Sequence, residues 1–321
     1  MKIAVIGHIC RDVIHRPDGT SADKVSSEQW GGIYYSILAL ANLLKESDTI
    51  TPIITVGKAD HAELLERLGQ YPNISTKAIT VLPGPTNAVH LFYEGSSDNR
   101  IECSAHISPP IPFAQIKPHL DVDGILINMI SGFDISLETL DQIRMEVRND
   151  GTPILFDFHS LTLGVDKDAR RFRRPLTDWR RWCFMLHSIQ LSEVEAQGLT
   201  AERYDEQALV NQLMPLMVSN LLITRGQRGV TLIQQKQKKL TRHDFDGVAL
   251  SDAPNPTGCG DVFGAAYLSR LIEVKDPVAA TAYANRAAAI KTTFRDAEGL
   301  RALSARLASH EQATPGEKDA P

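Results

Sequence analysis

Residues 255–266 read Asn-Pro-Thr-Gly-Cys-Gly-Asp-Val-Phe-Gly-Ala-Ala, a polar turn that runs into small and apolar residues. The apolar run predicts a buried helix that begins near Gly258. The first N–H groups of such a helix have no partners within it, and the helix dipole adds partial positive charge at the same end. Gly258 and Gly260 let the chain turn tightly and let a ligand come close. The stretch therefore predicts an anion site, most often one for phosphate.

Asp261 follows this glycine-rich turn at once. A carboxylate at the edge of an anion site could take a proton from a hydroxyl as a phosphoryl group arrives. From the residues alone, an ordinary loop-to-helix junction with Asp261 near the N-cap explains the stretch equally well. A third interpretation is a Cys259 nucleophile, because a helix N-terminus favours the thiolate. No histidine or carboxylate stands at a spacing that would support that nucleophile.

The rest of the chain predicts an α/β fold. Its 321 residues, 43% of them hydrophobic, suffice for one large domain or two smaller ones. From about residue 123, β-rich runs at 124–128, 153–158 and 184–192 alternate with helical stretches, which predicts a parallel sheet covered on both faces. Between residues 78 and 106 the pattern changes to short β-rich pieces around a Gly-Ser-Ser-Asp-Asn turn, which is typical of hairpins.

Composition argues against several functional classes. The formal net charge is −5, and no basic block indicates a nucleic-acid partner. We expect no membrane partner, because no apolar run is long enough to cross a bilayer. The first residues read as a strand rather than a signal peptide, and the four cysteines form no CxxC pair, so the cytoplasm is the expected location. Neither the G-x-G-x-x-G fingerprint nor the P-loop pattern occurs.

Thr257, Gly258, Gly260 and Asp261 match the C-terminal signature of the ribokinase-like (PfkB) carbohydrate kinases, which usually reads Asp-Thr-x-Gly-Ala-Gly-Asp. The resemblance extends from Lys2 to about residue 307. It implies one kinase domain over residues 1–308, with a three-layer, mostly parallel sheet between helices. It also implies a small β lid built from about 12–30 and 78–106. The polar residues 309–321 are expected to be a disordered tail.

The same resemblance implies roles for the motif and for the acceptor side of the site. Asp261 would be the base, and the N–H groups of Gly258, Cys259 and Gly260 would hold the transferred phosphoryl group. The acceptor would contact Asp12, which follows just past the strand predicted over residues 2–7, and a Gly-Gly pair, Gly31 and Gly32. From the residues alone, a solvated loop acid is the alternative interpretation of Asp12.

On the donor side the resemblance implies ATP and Mg²⁺. Ser192, Thr224 and Gly226 would border the nucleotide phosphates, and Asn285 would lie beside the adenine. Glu195 would help to hold the magnesium ion. An ordinary first-turn helix acid is the alternative interpretation of Glu195.

Three departures from the family pattern leave questions open. Asn255 replaces an aspartate that supports a monovalent cation in some members, so a cation requirement is doubtful here. Ser192 replaces an asparagine that faces the phosphates, and the run Tyr34-Tyr35-Ser36 replaces a common substrate asparagine. The departures allow an alternative function, a binding or regulatory protein that keeps the fold but transfers phosphate slowly or not at all. Sugars, nucleosides and cyclitols all remain open as acceptors, and the lid edge could pair with a second subunit as a homodimer.

Overall fold

The computed structural model describes residues 1–15, 25–93, 100–237, 239–250 and 255–313. The strands are β1 (Lys2–Ile6), β2 (Ile9–His15), β3 (Val25–Gly32), β4 (Thr49–Gly57), β5 (Ile79–Leu82), β6 (Asn87–Tyr93), β7 (Arg100–His106), β8 (Gly124–Asn128), β9 (Ile154–Asp157), β10 (Leu163–Val165), β11 (Arg171–Arg173), β12 (Ser188–Ser192), β13 (Asn220–Thr224), β14 (Val230–Lys236) and β15 (Lys239–Phe245). The helices are α1 (Tyr34–Leu43), α2 (His61–Leu68), α3 (Phe113–Ile116), α4 (Leu137–Val147), α5 (Trp179–Cys183), α6 (Glu193–Gly198), α7 (Glu206–Leu213), α8 (Cys259–Val274), α9 (Pro277–Lys291) and α10 (Leu303–Ala313).

A nine-stranded sheet runs through the molecule in the order β15-β14-β13-β12-β9-β8-β1-β4-β5. The strands from β13 to β5 pair in parallel, while β14 and β15 form an antiparallel hairpin at one edge. After β1 the chain builds outward through β4 and β5, and it then returns to build β8, β9, β12 and β13 on the other side. Open α/β sheets bind ligands at such a switch point, outside the carboxyl ends of the strands.

Helices cover both faces of this sheet. The reason is that apolar side chains of each strand point alternately to one face and the other. In β1, Ile3 and Val5 join the core that also contains α1, α8 and α9, whereas Ala4 and Ile6 join the core that contains α4 and α7. Successive side chains of a strand point to opposite faces, so an all-apolar strand needs a helical layer on each side. The predicted three-layer architecture with a mostly parallel sheet is confirmed.

A separate four-stranded sheet, in the order β3-β2-β6-β7, forms from the two regions predicted as a lid. Asp12, predicted just past the end of β1, instead lies within β2 and pairs with Gln29 of β3. Gly31 and Gly32 are the last two residues of β3. The lid stretch 16–24 and the Gly-Ser-Ser-Asp-Asn turn at 95–99 lie outside the described residues.

The C-terminal helix α10 extends to Ala313, so the disordered tail predicted from residue 309 begins inside a helix. Leu303 and Leu307 anchor α10 in the core, since both are buried. Residues 314–321 lie outside the described part of the chain. Within the described residues, no helix combines the length and the apolar character needed to cross a membrane.

Candidate active site

The glycine-rich turn and the start of α8 form the centre of the site. Gly258 is the N-cap residue of α8 and has a φ of 81°, a left-handed conformation that favours glycine. A Cβ at this position would lie 2.4 Å from Cδ1 of Tyr35. The turn therefore needs glycine here both for its backbone conformation and for the packing of the tyrosine ring.

The N–H groups of this turn differ in how they are used. Among the described residues, no protein group accepts a hydrogen bond from the N–H of Gly258 or Gly260. The N–H of Cys259, also predicted as an anion donor, instead donates to the carbonyl of Pro256 at 3.1 Å. An anion could thus be held by the N–H groups of Gly258 and Gly260 without breaking a protein hydrogen bond.

Asp261 lies in the first turn of α8 with 5% of its surface exposed. Its Oδ1 accepts a hydrogen bond from Nδ2 of Asn128 at 2.6 Å. Burial raises the pKa of Asp261, while the electrostatic interaction with His159 and the hydrogen bond from Asn128 oppose that rise. The carboxyl group is therefore buried, oriented and poised for a proton.

Asp261 lines a cavity of about 360 Å³, here called the smaller cavity. It lies between the four-stranded sheet β3-β2-β6-β7, here called the lid sheet, and the carboxyl ends of β9 and β12. The predicted acceptor residues Asp12 and Gly32 line it as well. The other residues that its wall takes from the lid sheet are Cys10, Val89, Leu91 and Glu102. The structure thus brings the predicted base and most of the predicted acceptor contacts to one space.

Gly31, the remaining predicted acceptor residue, supports Asp12 instead of lining the cavity. A Cβ on Gly31 would lie 2.0 Å from Oδ2 of Asp12. The Asp12 carboxylate accepts a hydrogen bond from the Cys10 thiol at 3.1 Å and is 7% exposed. Glycine at position 31 of β3 therefore leaves room for the carboxylate of Asp12, which lies on the neighbouring strand β2.

A second cavity, of about 740 Å³ and here called the larger cavity, lies on the other side of the motif turn. The predicted nucleotide residues Thr224, Gly226 and Asn285 line it. Its apolar wall consists of Val230, Val248, Ala249, Leu250, Phe263, Ala288 and Ala289. Asn285 donates from Nδ2 to the carbonyl of Asp246 at 2.8 Å, which ties α9 to the segment that forms this wall.

The two cavities meet at the motif. Thr224, Gly226, Pro256, Cys259 and Gly260 line both of them. A ligand that filled the larger cavity could therefore extend past the N-terminus of α8 toward Asp261.

Ser192 and Glu195 form the N-terminal cap of α6. Oε2 of Glu195 accepts a hydrogen bond from the N–H of Ser192 at 2.7 Å, and Oγ of Ser192 accepts one from the N–H of Glu195 at 3.3 Å. This capping box is the structural role that the alternative interpretation expected. Both side chains also line the smaller cavity, so the cap places them at the site rather than away from it.

The sequence interpretation missed three polar residues that end or interrupt apolar strands. Asn128 ends β8 and pairs in register with Asp157, which ends β9. Gln190 of β12 pairs with Asp157 on its other side and donates from Nε2 to Oδ2 of Asp157 at 3.1 Å and to the carbonyl of Gly260 at 2.9 Å. Burial, followed by the negative charges of Glu195 and Asp261, raises the pKa of Asp157 well above its usual range. The available signal was a polar residue at the end of an apolar run, for Asn128 and Asp157, or inside one, for Gln190.

His159 and Arg171 complete the lining of the smaller cavity. His159 has a φ of 37°, which is uncommon for a residue other than glycine. Its ring lies close enough to the carboxyl groups of Asp157 and Asp261 that one ligand atom from each falls within 4.8 Å of the others. Arg171 donates to Oγ of Ser160 at 2.8 Å and is largely buried.

The run Tyr34-Tyr35-Ser36 serves packing and the motif together. Tyr34 is buried and donates its hydroxyl to Glu298 at 2.8 Å, as a core residue. Tyr35 lines the smaller cavity, and Oγ of Ser36 donates to the carbonyl of Asp261 at 3.1 Å.

Burial raises the pKa of the Cys259 thiol to about 11, so the thiol stays protonated at neutral pH and is poorly suited as a nucleophile.

Comparison with known proteins supports the fold and the family resemblance of the motif region. The family model described as pfkB family carbohydrate kinase matches residues 183–299, which include α6, β13 and the motif. No curated protein sequence matches the chain. The resemblance to the ribokinase-like PfkB kinases, drawn from the sequence, is confirmed by this match and by structures of the same fold.

Three solved structures illustrate the similarity. A pyrophosphate-dependent kinase in the ribokinase family, solved with sulfate, superposes with a TM-score of 0.74 at 17% identity, over 94% of this chain and 100% of that one. A candidate ribokinase II of E. coli with ATP and Mg²⁺ gives 0.72 at 17%, over 95% and 99%. A Burkholderia thailandensis nucleoside kinase with inosine gives 0.70 at 21%, over 98% of each chain. At these identities the similarity establishes the fold.

Proposed function

We propose that this chain, which has the ribokinase-like fold and matches the PfkB family around its motif, transfers the γ-phosphoryl group of ATP to a hydroxyl of a small polyhydroxy acceptor. One observation carries the proposal. Two cavities of sizes typical for ligand sites meet at the glycine-rich N-terminus of α8, and a buried aspartate lies at the junction.

Asp261 acts as the base in this proposal. Its carboxylate orients the acceptor hydroxyl and takes its proton as the bond to phosphorus forms. A carboxylate suffices because phosphoryl transfer has a loose transition state, in which little deprotonation is needed before bonding begins. The hydrogen bond from Asn128 fixes one carboxylate oxygen and leaves the other for the acceptor.

The N-terminus of α8 stabilises the charge that moves. The N–H groups of Gly258 and Gly260 would donate to the phosphoryl oxygens, and the dipole of the 16-residue helix adds positive potential. Because these donors are fixed by the fold, they need no reorganisation during the reaction.

The larger cavity supports a nucleotide as the donor. An apolar wall of aliphatic side chains and Phe263 suits a base, while Thr224 and Gly226 lie at the end that joins the motif. Pyrophosphate would leave most of this volume empty. The donor is nevertheless a point to test, since one protein of the same fold is a pyrophosphate-dependent kinase.

The acidic residues of the smaller cavity fit a magnesium ion. Burial and the negative charges of Glu195 and Asp261 raise the pKa of Asp157, and burial raises the pKa of Asp261. A divalent cation beside these carboxyl groups would lower both pKa values. Asp157 and the free oxygen of Glu195 would hold the ion, since Mg²⁺ prefers oxygen ligands. A bound magnesium ion would neutralise part of the negative charge of the phosphates.

The smaller cavity supports a hydroxyl-rich acceptor. Asp12 and Glu102 offer acceptor oxygens from the lid sheet, and Arg171 offers donors from β11. Because the lid sheet forms one wall of this cavity, it would also limit the entry of water, which could otherwise compete as the phosphoryl acceptor. The acceptor class, whether sugar, nucleoside or cyclitol, is for experiment to decide.

A screen of ATP consumption over sugars, nucleosides and inositols tests the proposal. We expect turnover with one of these classes and loss of turnover when EDTA removes Mg²⁺. Pyrophosphate in place of ATP is the matched donor control. Binding of ATP without turnover on any acceptor would favour the alternative, a regulatory protein, and turnover with pyrophosphate alone would contradict the donor assignment.

A further inference from the structure

Lys291 is a fully buried lysine in the last turn of α9, with no exposed surface. Lysine is almost never fully buried unless its charge is compensated, because removing an ammonium group from water is costly. A lysine near a helix C-terminus can stabilise the helix dipole from the surface. That role does not require burial, so the position of Lys291 calls for a different explanation.

The ammonium group contacts the catalytic motif and not a carboxylate. Nζ of Lys291 donates to the carbonyl oxygen of Asn255 at 3.0 Å, and it lies 5.2 Å from the ring centroid of Tyr35. In the described part of the chain no carboxylate forms an ion pair with it, and the charges of Asp261 and Asp296 act on it only from a distance. Its compensation therefore comes from a carbonyl dipole and an aromatic face.

Asn255 is the first residue of the motif turn, and several hydrogen bonds converge on it. Its N–H donates to the carbonyl of Thr292 at 2.8 Å, and its Nδ2 donates to the carbonyl of Arg295 at 2.6 Å. Its Oδ1 accepts from the N–H of Thr257 at 3.3 Å. Asn255 thus joins the end of α9 to the turn. Its backbone carbonyl accepts from the ammonium group at 3.0 Å and from the Cys259 thiol at 3.8 Å.

Tyr35 connects the ammonium group to the second side of the turn. The same ring that faces Nζ packs against the α-carbon of Gly258, the N-cap of α8. The positive charge is therefore fixed behind the N-terminus of α8, where it adds to the potential of the helix dipole. It touches the turn at Asn255 and, through Tyr35, at Gly258.

We propose that Lys291 is a positioning residue whose ammonium group is a built-in monovalent cation, which fixes the turn from Asn255 to Gly258 so that phosphoryl transfer needs no added alkali or ammonium ion. The inference rests on the proposed function. It also gives a physical reason for asparagine at position 255, since a second carboxylate is not needed where the cation is covalently attached.

Two substitutions separate charge from packing. Lys291→Ala removes the ammonium group and leaves room for a small cation, whereas Lys291→Met removes the charge but keeps the space filled. Lys117→Ala is the matched control, because Lys117 is exposed and paired with Glu146 away from both cavities. Turnover is measured in tetramethylammonium buffer and again after adding NH₄⁺, methylammonium or K⁺.

We expect the natural protein and the Lys117→Ala variant to change less than about twofold between these media. Displacement of the motif should lower kcat of Lys291→Ala about 100-fold. Small cations should raise the kcat of Lys291→Ala about tenfold, to roughly a tenth of the natural value, and should not raise that of Lys291→Met. Natural-protein kinetics that depend on K⁺, an unchanged kcat in Lys291→Ala, or a folded Lys291→Ala that no small cation rescues would each overturn the proposal.

Thermal unfolding without substrates separates this inference from the proposed function. If no acceptor is phosphorylated by the natural protein, the function has failed, but the cation claim can still be measured. NH₄⁺ should then raise the melting temperature of Lys291→Ala more than tetramethylammonium does, and should leave Lys291→Met and the natural protein unaffected. Equal responses of all three proteins to NH₄⁺ would overturn the inference.

Discussion

Nδ2 of Asn128 donates to Oδ1 of Asp261 at 2.6 Å, although the two residues are 133 positions apart in the chain. Asn128 is fully buried at the carboxyl end of β8, beside the switch point of the sheet. The hydrogen bond favours the ionised carboxylate and so opposes the rise in the pKa of Asp261 that burial causes. Asn128 therefore orients the Asp261 carboxyl group and, together with His159, opposes the rise in its pKa.

Asn128→Ala should move the acid limb of the pH dependence of kcat to higher pH. Without the hydrogen bond, the pKa of Asp261 rises further, and the base is protonated over a wider range. On the acid limb we expect kcat to fall about tenfold, the effect of one hydrogen bond to a charged group. Asn73→Ala is the control, since Asn73 is also a buried asparagine, and its side chain donates to the carbonyl of Ala41. An unshifted limb in Asn128→Ala would argue against this role.

Gly258→Ala should destabilise the protein more than a conformational penalty alone explains. The left-handed backbone costs about 1–2 kcal/mol, and the contact with Tyr35 adds about 1–3 kcal/mol of overpacking. Gly151→Ala provides the matched comparison, because Gly151 also has a left-handed φ, of 67°, but nothing lies within 4 Å of its added Cβ. Urea unfolding of the two variants measures the difference, and equal losses of stability would refute the packing argument.

Ala288→Phe should weaken ATP binding and leave acceptor binding unchanged. Ala288 lines the larger cavity and not the smaller one, so a phenyl ring there occupies the space assigned to the nucleoside. We expect KM for ATP to rise about tenfold or more, a loss of about 1.4 kcal/mol of binding. Ala282→Phe on the same helix lines neither cavity and serves as the control. A raised KM for the acceptor alone would place the donor elsewhere.

Asp261→Asn should raise the melting temperature at neutral pH. Because the folded-state pKa of Asp261 is raised, the folded protein binds the proton more tightly than the unfolded chain. Stability from this group is therefore present at low pH and is lost as the pH rises through the folded-state pKa. Asparagine carries no charge, so we expect an increase of about 2–4 °C near pH 7, roughly 1 kcal/mol, that disappears at low pH. A lower melting temperature at pH 7 would contradict the conclusion that burial of Asp261 disfavours its charged form.

The sequence predicted the local parts of the site better than the distant ones. Gly258, Gly260 and Asp261 are close in the chain, so their arrangement at the start of one helix could be predicted from a single stretch of sequence. Asn128 and Asp157 lie close together only because β8 and β9 pair in one particular register. Periodicity predicts that the strands exist, but it does not tell which strand ends become neighbours.

Asp12 shows the same limit from another direction. The sequence placed it in a loop, since a charged residue follows the apolar run of β1 closely. In the structure it lies in β2, where a strand of the lid sheet carries it into the smaller cavity. Lys291 was missed because a lysine near a helix end is usually a solvated residue, and its burial depends on packing that no local pattern contains.

Phosphoryl transfer from ATP by Asp261→Asn, compared with the natural protein on the acceptor that the screen identifies, tests the central claim most directly. The substitution keeps the shape of the side chain and removes the base. The account predicts that kcat falls about 100-fold or more while the dissociation constant for ATP stays the same. Unchanged turnover in a folded Asp261→Asn protein would contradict it.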